Sequence, residues 1–222
     1  MSSAQASAAL PQHAGTTSRA ASVTAAFVAP ATMVVILAVA LLLLMTPLWM
    51  HFALTAAWAS GGDVSYGLGL SDRTVSEVFF GPGTFSAFAA DEAAHMRDVR
   101  VVFWGFMALA IGSLAFVVWR VARHGGAAHT WRSMARGGIV LAVALVVGGT
   151  IAFIAFDAAF ELFHRVFFPG GNWAFSADSL LIRLYPYPFW QLSAGALGAL
   201  GIAGGLIVWL LASRRARTLE RA

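Results

Sequence analysis

Four stretches of this 222-residue chain, residues 25–50, 101–119, 137–156 and 189–212, contain no charged side chain. Each is 19 residues or longer. An α-helix rises about 1.5 Å per residue, so about 20 apolar residues cross the hydrocarbon core of a bilayer. Within lipid, a helix is the one open segment that satisfies its own backbone hydrogen bonds. The chain therefore reads as mainly α, a polytopic membrane protein with four transmembrane helices. Composition agrees: charged residues make up 11% of the chain, against about 25% for a soluble domain. The rival for the first run is a secretory signal, with Ala57-Trp58-Ala59 resembling a cleavage site. The run is longer than a signal core and has almost no basic flank, which favours a spanning helix.

Arginines set the expected orientation, because short cytoplasmic loops retain positive charge. The segment between the second and third runs carries Arg120, Arg123, Arg132 and Arg136 and no acid, and the C-terminal end carries Arg214, Arg215, Arg217 and Arg221 against Glu220 alone. The opposite side holds five arginines against nine acids. Both termini are expected in the cytoplasm, with residues 51–100 and 157–188 as extracytoplasmic segments. Residues 1–24 read as a disordered cytoplasmic tail and residues 214–222 as a basic cytoplasmic tail. The cations sit at the ends of apolar runs rather than on one stripe, which rejects a nucleic-acid partner. The absence of cysteine excludes disulfides, thiolate metal sites and a cysteine nucleophile.

The two outer segments are too long and too patterned for plain connections. Asp63–Leu68 reads as a short β-strand, Gly81-Pro82-Gly83 as a turn, and Asp91-Glu92 as the acidic first turn of a helix. Pro169-Gly170-Gly171-Asn172 marks a second turn, and Trp173, Tyr185, Tyr187 and Trp190 suit a membrane interface. In the last run, Gly198, Gly201, Gly204 and Gly205 permit close helix packing.

Of six histidines, His13, His51, His124 and His129 read as solvated or structural. His95 and His164 differ: each sits where an outer segment joins an apolar run, with carboxylates at helical spacing. Asp98 is three residues after His95, Glu161 three before His164, and Asp157 four before Glu161. Such spacings share a helix face, and a carboxylate beside an imidazole fixes its tautomer and raises its basicity. On spacing alone three readings stand: interfacial anchors, a Zn or Mn site built like a Glu-x-x-His bundle, or a catalytic pair. Arg97, Arg165 and Arg183 lie on the same side, suited to pair with those acids or with lipid phosphate; Asn172, Trp173 and Gln191 are polar candidates nearby. No charge interrupts the middle of a run, which argues against an ion pathway.

His95-Met96-Arg97-Asp98-Val99 after Asp91-Glu92 resembles a motif of the bacterial lipoprotein intramolecular transacylases, Lit. Phe160-Glu161-Leu162-Phe163-His164-Arg165 with Asn172-Trp173-Ala174-Phe175 resembles the second motif of that family, as does Leu181-Ile182-Arg183-Leu184-Tyr185-Pro186 before Phe189-Trp190. The resemblance covers about residues 64–190 and implies four helices in the bacterial cytoplasmic membrane, with the site at the outer face. It implies transfer of the sn-2 acyl chain of a diacylglyceryl-cysteine lipoprotein to the α-amino group of the same cysteine, without metal or cofactor. Under it His95 and His164 are the catalytic pair, and Asp98, Glu161 and Asp157 orient or support them. Arg97, Arg165, Arg183, Asn172, Trp173 and Tyr66 are its substrate-binding candidates, and its partners are a diacylated lipoprotein and membrane lipids. A metal-dependent lipid hydrolase and a non-catalytic scaffold or lipoprotein-binding protein are the alternatives.

Overall fold

A computed structural model describes residues 26–58 and 64–222. The expected N-terminal tail, Asp63 of the expected strand and Ala59 of the possible cleavage site lie outside the described residues. The described residues are mainly helical: α1 (Val28–Leu44), α2 (Pro47–Ala57), α3 (Val64–Phe79), α4 (Ala90–His124), α5 (Ala128–Ile154), α6 (Phe156–Phe167), α7 (Leu180–Leu184) and α8 (Tyr187–Arg221).

Three helices, α4, α5 and α8, are long and apolar enough to cross a bilayer, and a fourth crossing requires α1 and α2 together. The expected continuous first helix over 25–50 is instead bent by 64° between Leu44 and Pro47. Pro47 causes the break: it has no N–H, and its ring clashes with the carbonyl one turn back. Thr46 fills the gap, its hydroxyl donating to the Leu43 carbonyl at 2.6 Å. At 35 residues, α4 and α8 are each about 52 Å long, more than the ~30 Å core needs. In α4 the crossing portion is the uncharged run 101–119, so both ends project beyond it. The C-terminal arginines continue α8 as helix rather than forming a separate tail.

Glycines decide how the long helices meet. A Cβ on Gly138 of α5 would lie 2.4 Å from the Gly205 carbonyl oxygen of α8, and one on Gly205 2.6 Å from that of Gly138. The two backbones touch, and α5 and α8 form the most extensive helix pair. Gly204 and Gly201 seat Ile36 and Leu145, whereas Gly198 faces open space, so three of the four expected glycines serve the packing. Helix α1 packs against α4, α5 and α8. Helices α4 and α5 themselves touch little despite their short connection.

The expected strand at residues 63–68 is corrected: Val64 onward is helix, and among the described residues there is no strand. Gly67, Leu70, Ser71, Thr74 and Val78 are buried, a spacing of three and four that keeps one helical face inward. Gly67 accepts the Trp58 ring where any Cβ would collide. The Gly81-Pro82-Gly83 turn forms as expected, with Gly83 at φ +72°. Arg100 clamps it, donating from Nη1 to the Gly81 carbonyl at 2.9 Å.

One apolar core joins these parts. Met50 and Leu54 of α2, Leu70 and Val78 of α3, Met96 and Phe103 of α4, Leu184 of α7 and Phe189 of α8 belong to it. The segments 51–100 and 157–188 thus pack together as one cap.

Candidate active site

Helix α4 begins with a carboxylate that sequence reasoning took only for a dipole partner. Glu92 is 3% exposed. Its Oε2 accepts from the Ala89 N–H at 2.9 Å and its Oε1 from the Leu181 N–H at 2.8 Å. The first bond is the backward half of a capping box; Ala89 has no side-chain acceptor for the other half. The second ties α7 to α4 beside His95. Its signal in the sequence was an acid at the third position of a helix.

One turn on, His95 is 6% exposed. Its ring is enclosed by Phe168 and Phe175, with centroids 4.7 and 5.6 Å away. His164 reaches the same place from α6, its ring 6.1 Å from that of His95 and inclined by 26°. The connection 168–179 therefore supplies much of the wall, with Trp173 lying 5.0 Å from His164. The break at Ala155 between α5 and α6 redirects the chain so that Phe156, Phe160 and His164, spaced by four, face inward while Glu161 and Arg165 face out.

Backbone rather than carboxylate orients His164. Its Nδ1 lies 2.8 Å from the Phe160 carbonyl oxygen. A carbonyl only accepts, so Nδ1 carries the proton and Nε2 the lone pair. His95 Nδ1 is buried with no partner among the described residues. A buried N–H without an acceptor is rarer than an acceptor without a donor, which assigns the His95 proton to Nε2. The two rings thus present opposite functions: a lone pair on His164 Nε2 and a donor on His95 Nε2. Both remain uncharged near neutrality. Burial, then the neighbouring His164, push His95 down to about 4, with Asp98 opposing. Burial also lowers His164, opposed by its bond to Phe160.

The expected carboxylate partners are engaged elsewhere. Asp98 Oδ2 accepts from Asn172 Nδ2 at 2.6 Å, Glu161 pairs with Arg165 at 2.5 Å, and Asp157 accepts from the Tyr187 hydroxyl at 2.5 Å. None bonds an imidazole. Spacing along one helix revealed which residues share a face but not what packs on it. Among the described residues no group of three histidine or carboxylate side chains converges as a metal site requires. Asn172 and Trp173 are half-buried beside the pair; Arg97, Arg165, Arg183 and Tyr66 are exposed. Away from the pair, His51 does meet a carboxylate, Nε2 to Asp72 Oδ1 at 2.9 Å, exposed and joining α2 to α3. A cavity of about 410 Å³ opens beside Phe175, lined by Asp91, Glu92, Ser176 and Ser179 among others.

At the other end of the bundle Arg132 of α5 bridges to Glu220 of α8 at 3.2 Å, and buried Arg120 lies 3.0 Å from His129. The basic connection and the histidine pair therefore occupy opposite ends of α4.

Comparison with known proteins adds three findings. A family model described as lipoprotein intramolecular transacylase Lit matches residues 74–190, which include both histidines. An uncharacterized protein of Aquifex aeolicus (strain VF5) is 29% identical over 123 residues, a stretch covering 55% of this chain and 55% of that protein; the match thus spans about half the length of this curated relative. The in meso structure of Lit from Bacillus cereus superposes with a TM-score of 0.79 at 13% identity, covering 92% of this chain and all of that one. A histidine-to-arginine mutant of the same protein gives 0.73 at 13%, covering 93% and 96%. At such identity the superpositions show a shared fold.

Proposed function

This chain belongs to the lipoprotein intramolecular transacylase family, and from that premise we propose that it moves the sn-2 acyl chain of a diacylglyceryl-cysteine lipoprotein to the α-amino group of the same cysteine. The observation carrying the proposal is the pairing of His95 and His164, from two separate helices, with rings 6.1 Å apart and complementary nitrogens.

The uncharged amine of the substrate attacks the sn-2 ester carbonyl carbon. A C–N bond forms, and the carbonyl π electrons move to oxygen. His95 Nε2–H donates to that developing oxyanion, which a preorganised donor stabilises strongly at a water-poor site. His164 Nε2 takes a proton from the attacking nitrogen. As the oxyanion collapses, the C–O bond to the glyceryl carbon breaks. The imidazolium returns its proton to the leaving glyceryl oxygen, restoring neutral His164. The product is an amide and a free sn-2 hydroxyl, an isomer of the substrate, with no external co-reactant. Lowered imidazole basicity suits a group that must accept and then release a proton near neutral pH. Arg97, Arg165 and Arg183 are candidates for the phosphate-rich membrane surface, and Tyr66 remains a candidate for substrate contact. Under this reading the histidine end faces the outside of the bacterial cytoplasmic membrane and the arginine end the cytoplasm.

The test is mass spectrometry of lipoprotein N-termini from cells expressing the wild type, His95→Ala or His164→Ala at equal levels. The expected result is an unchanged total mass, a blocked α-amine and a monoacylglyceryl fragment for the wild type, with a free amine for both variants. A free amine on every lipoprotein in wild-type cells would overturn the reading, as would amine blocking undiminished in either variant.

A further inference from the structure

Connection 168–179 is held to α4 at two points on either side of His95, and the two differ in kind. Glu92, His95 and Asp98 stand three apart on one helix. Glu92 grips the Leu181 N–H at the far end of the connection, inside the protein. Asp98 grips the Asn172 side chain in its middle, at the surface. Between these points the connection lays Trp173 against His164 and Phe175 against His95. Near its start it carries Gly170 and Gly171, where Gly171 has φ +76° and an added Cβ would meet open space. With Trp173 seated at 5.0 Å, the indole occupies ground that a diacylglyceryl ester needs in order to reach His164.

We propose that Asp98 and Asn172 form a latch, and that its release swings the segment 170–175 about the anchored Leu181 end, lifting Trp173 from His164 to admit the acylated substrate. Both are positioning residues, acting on the imidazole through Trp173. The inference rests on His164 being the reactive group of the proposed transacylation, but the motion can be read without that reaction. The buried bond is the fixed end because breaking it strands a desolvated carboxylate. The exposed bond exchanges for water at lower cost than the buried one, so it is the end that opens.

The experiment follows carbethoxylation of His164 by diethyl pyrocarbonate, resolved by peptide mass spectrometry, on the full chain in phospholipid vesicles. Asp98→Ala and Asn172→Ala should each speed modification about tenfold, the population gain from losing one charge-assisted hydrogen bond. The double exchange Asp98→Asn with Asn172→Asp restores an amide-to-carboxylate bond and should return the rate to the wild-type value. The chain has no cysteine, so Asp98→Cys with Asn172→Cys can be joined by a short bis-maleimide. The joined protein should modify more slowly, and transfer less, than the same double variant left unjoined. In the alanine variants KM should change more than kcat. Unchanged modification rates in both alanine variants, or full modification and transfer in the joined protein, would overturn the latch. If joining slows modification but no form transfers acyl groups, the latch stands and the assigned reaction falls.

Discussion

Replacing Glu92 with glutamine tests whether a single buried carboxylate holds the wall of the site. The side chain is 3% exposed, and both oxygens accept backbone N–H groups, at 2.9 and 2.8 Å. Glutamine retains one acceptor and turns an amino group toward the other N–H. One charge-assisted bond is lost, worth about 1.5–3 kcal/mol, and a buried donor is left unpaired at about 1–3 kcal/mol. A total of about 2.5–6 kcal/mol follows, or a fall of at least about 5 °C in the melting temperature at the scale of a 150–250-residue chain. Glu220→Gln provides the internal comparison. It also removes a carboxylate, but its bridge to Arg132 spans 3.2 Å between side chains that are 43% and 63% exposed, so it should cost below about 0.5 kcal/mol. Thermal melts of both variants in one detergent measure the contrast. Because α7 loses its tie to α4, carbethoxylation of His95 should also speed up in Glu92→Gln alone. Equal small shifts, under about 2 °C for both variants, would refute the reasoning that burial separates them.

Two further outcomes follow from the geometry. Gly138→Ala puts a Cβ 2.4 Å from the Gly205 carbonyl oxygen and should cost about 1–3 kcal/mol by overpacking, whereas Gly198→Ala meets open space and should be neutral or stabilising by up to about 1 kcal/mol through helix propensity; melts that rank them the other way would contradict the backbone contact of α5 with α8. The histidine pair should make the fold acid-sensitive. Burial lowers both imidazoles, to about 4 in the case of His95, so below pH 6.5 the unfolded chain binds more protons than the folded one and stability declines as pH falls from 6.5 toward 4. Melts between pH 7 and 4.5 should show the wild type losing more than His95→Phe, and parallel curves would refute it.

How much of this was legible in the sequence varied with the range over which each signal acts. Uncharged runs of 19 residues or more announce helices in lipid without reference to any partner; α4 and α8 contain the second and fourth of them, and α5 carries the third as far as Ile154. Pro47 carried its own warning of a break, but the apolar run around it was long enough to hide the 64° bend. The strand expected at Asp63–Leu68 failed because six residues were weighed without the buried stripe continuing to Val78. The approach of His95 to His164 was legible from their places at the same ends of successive runs. Their supports were not. Asp98 and Glu161 had the right spacing to serve the imidazoles, yet Asn172 lies 74 residues from Asp98 in sequence, and Arg165 satisfies Glu161 from the next turn. A short-range pattern can show that a carboxylate and an imidazole share a face. It cannot show which donor reaches the carboxylate first, and a carboxylate at the rim of a site is open to every donor the rest of the chain delivers. The backbone carbonyl of Phe160 has no such competitor: it sits one turn before His164 on the same helix, so the imidazole is oriented as soon as α6 forms, and the carboxylates are left to hold the wall.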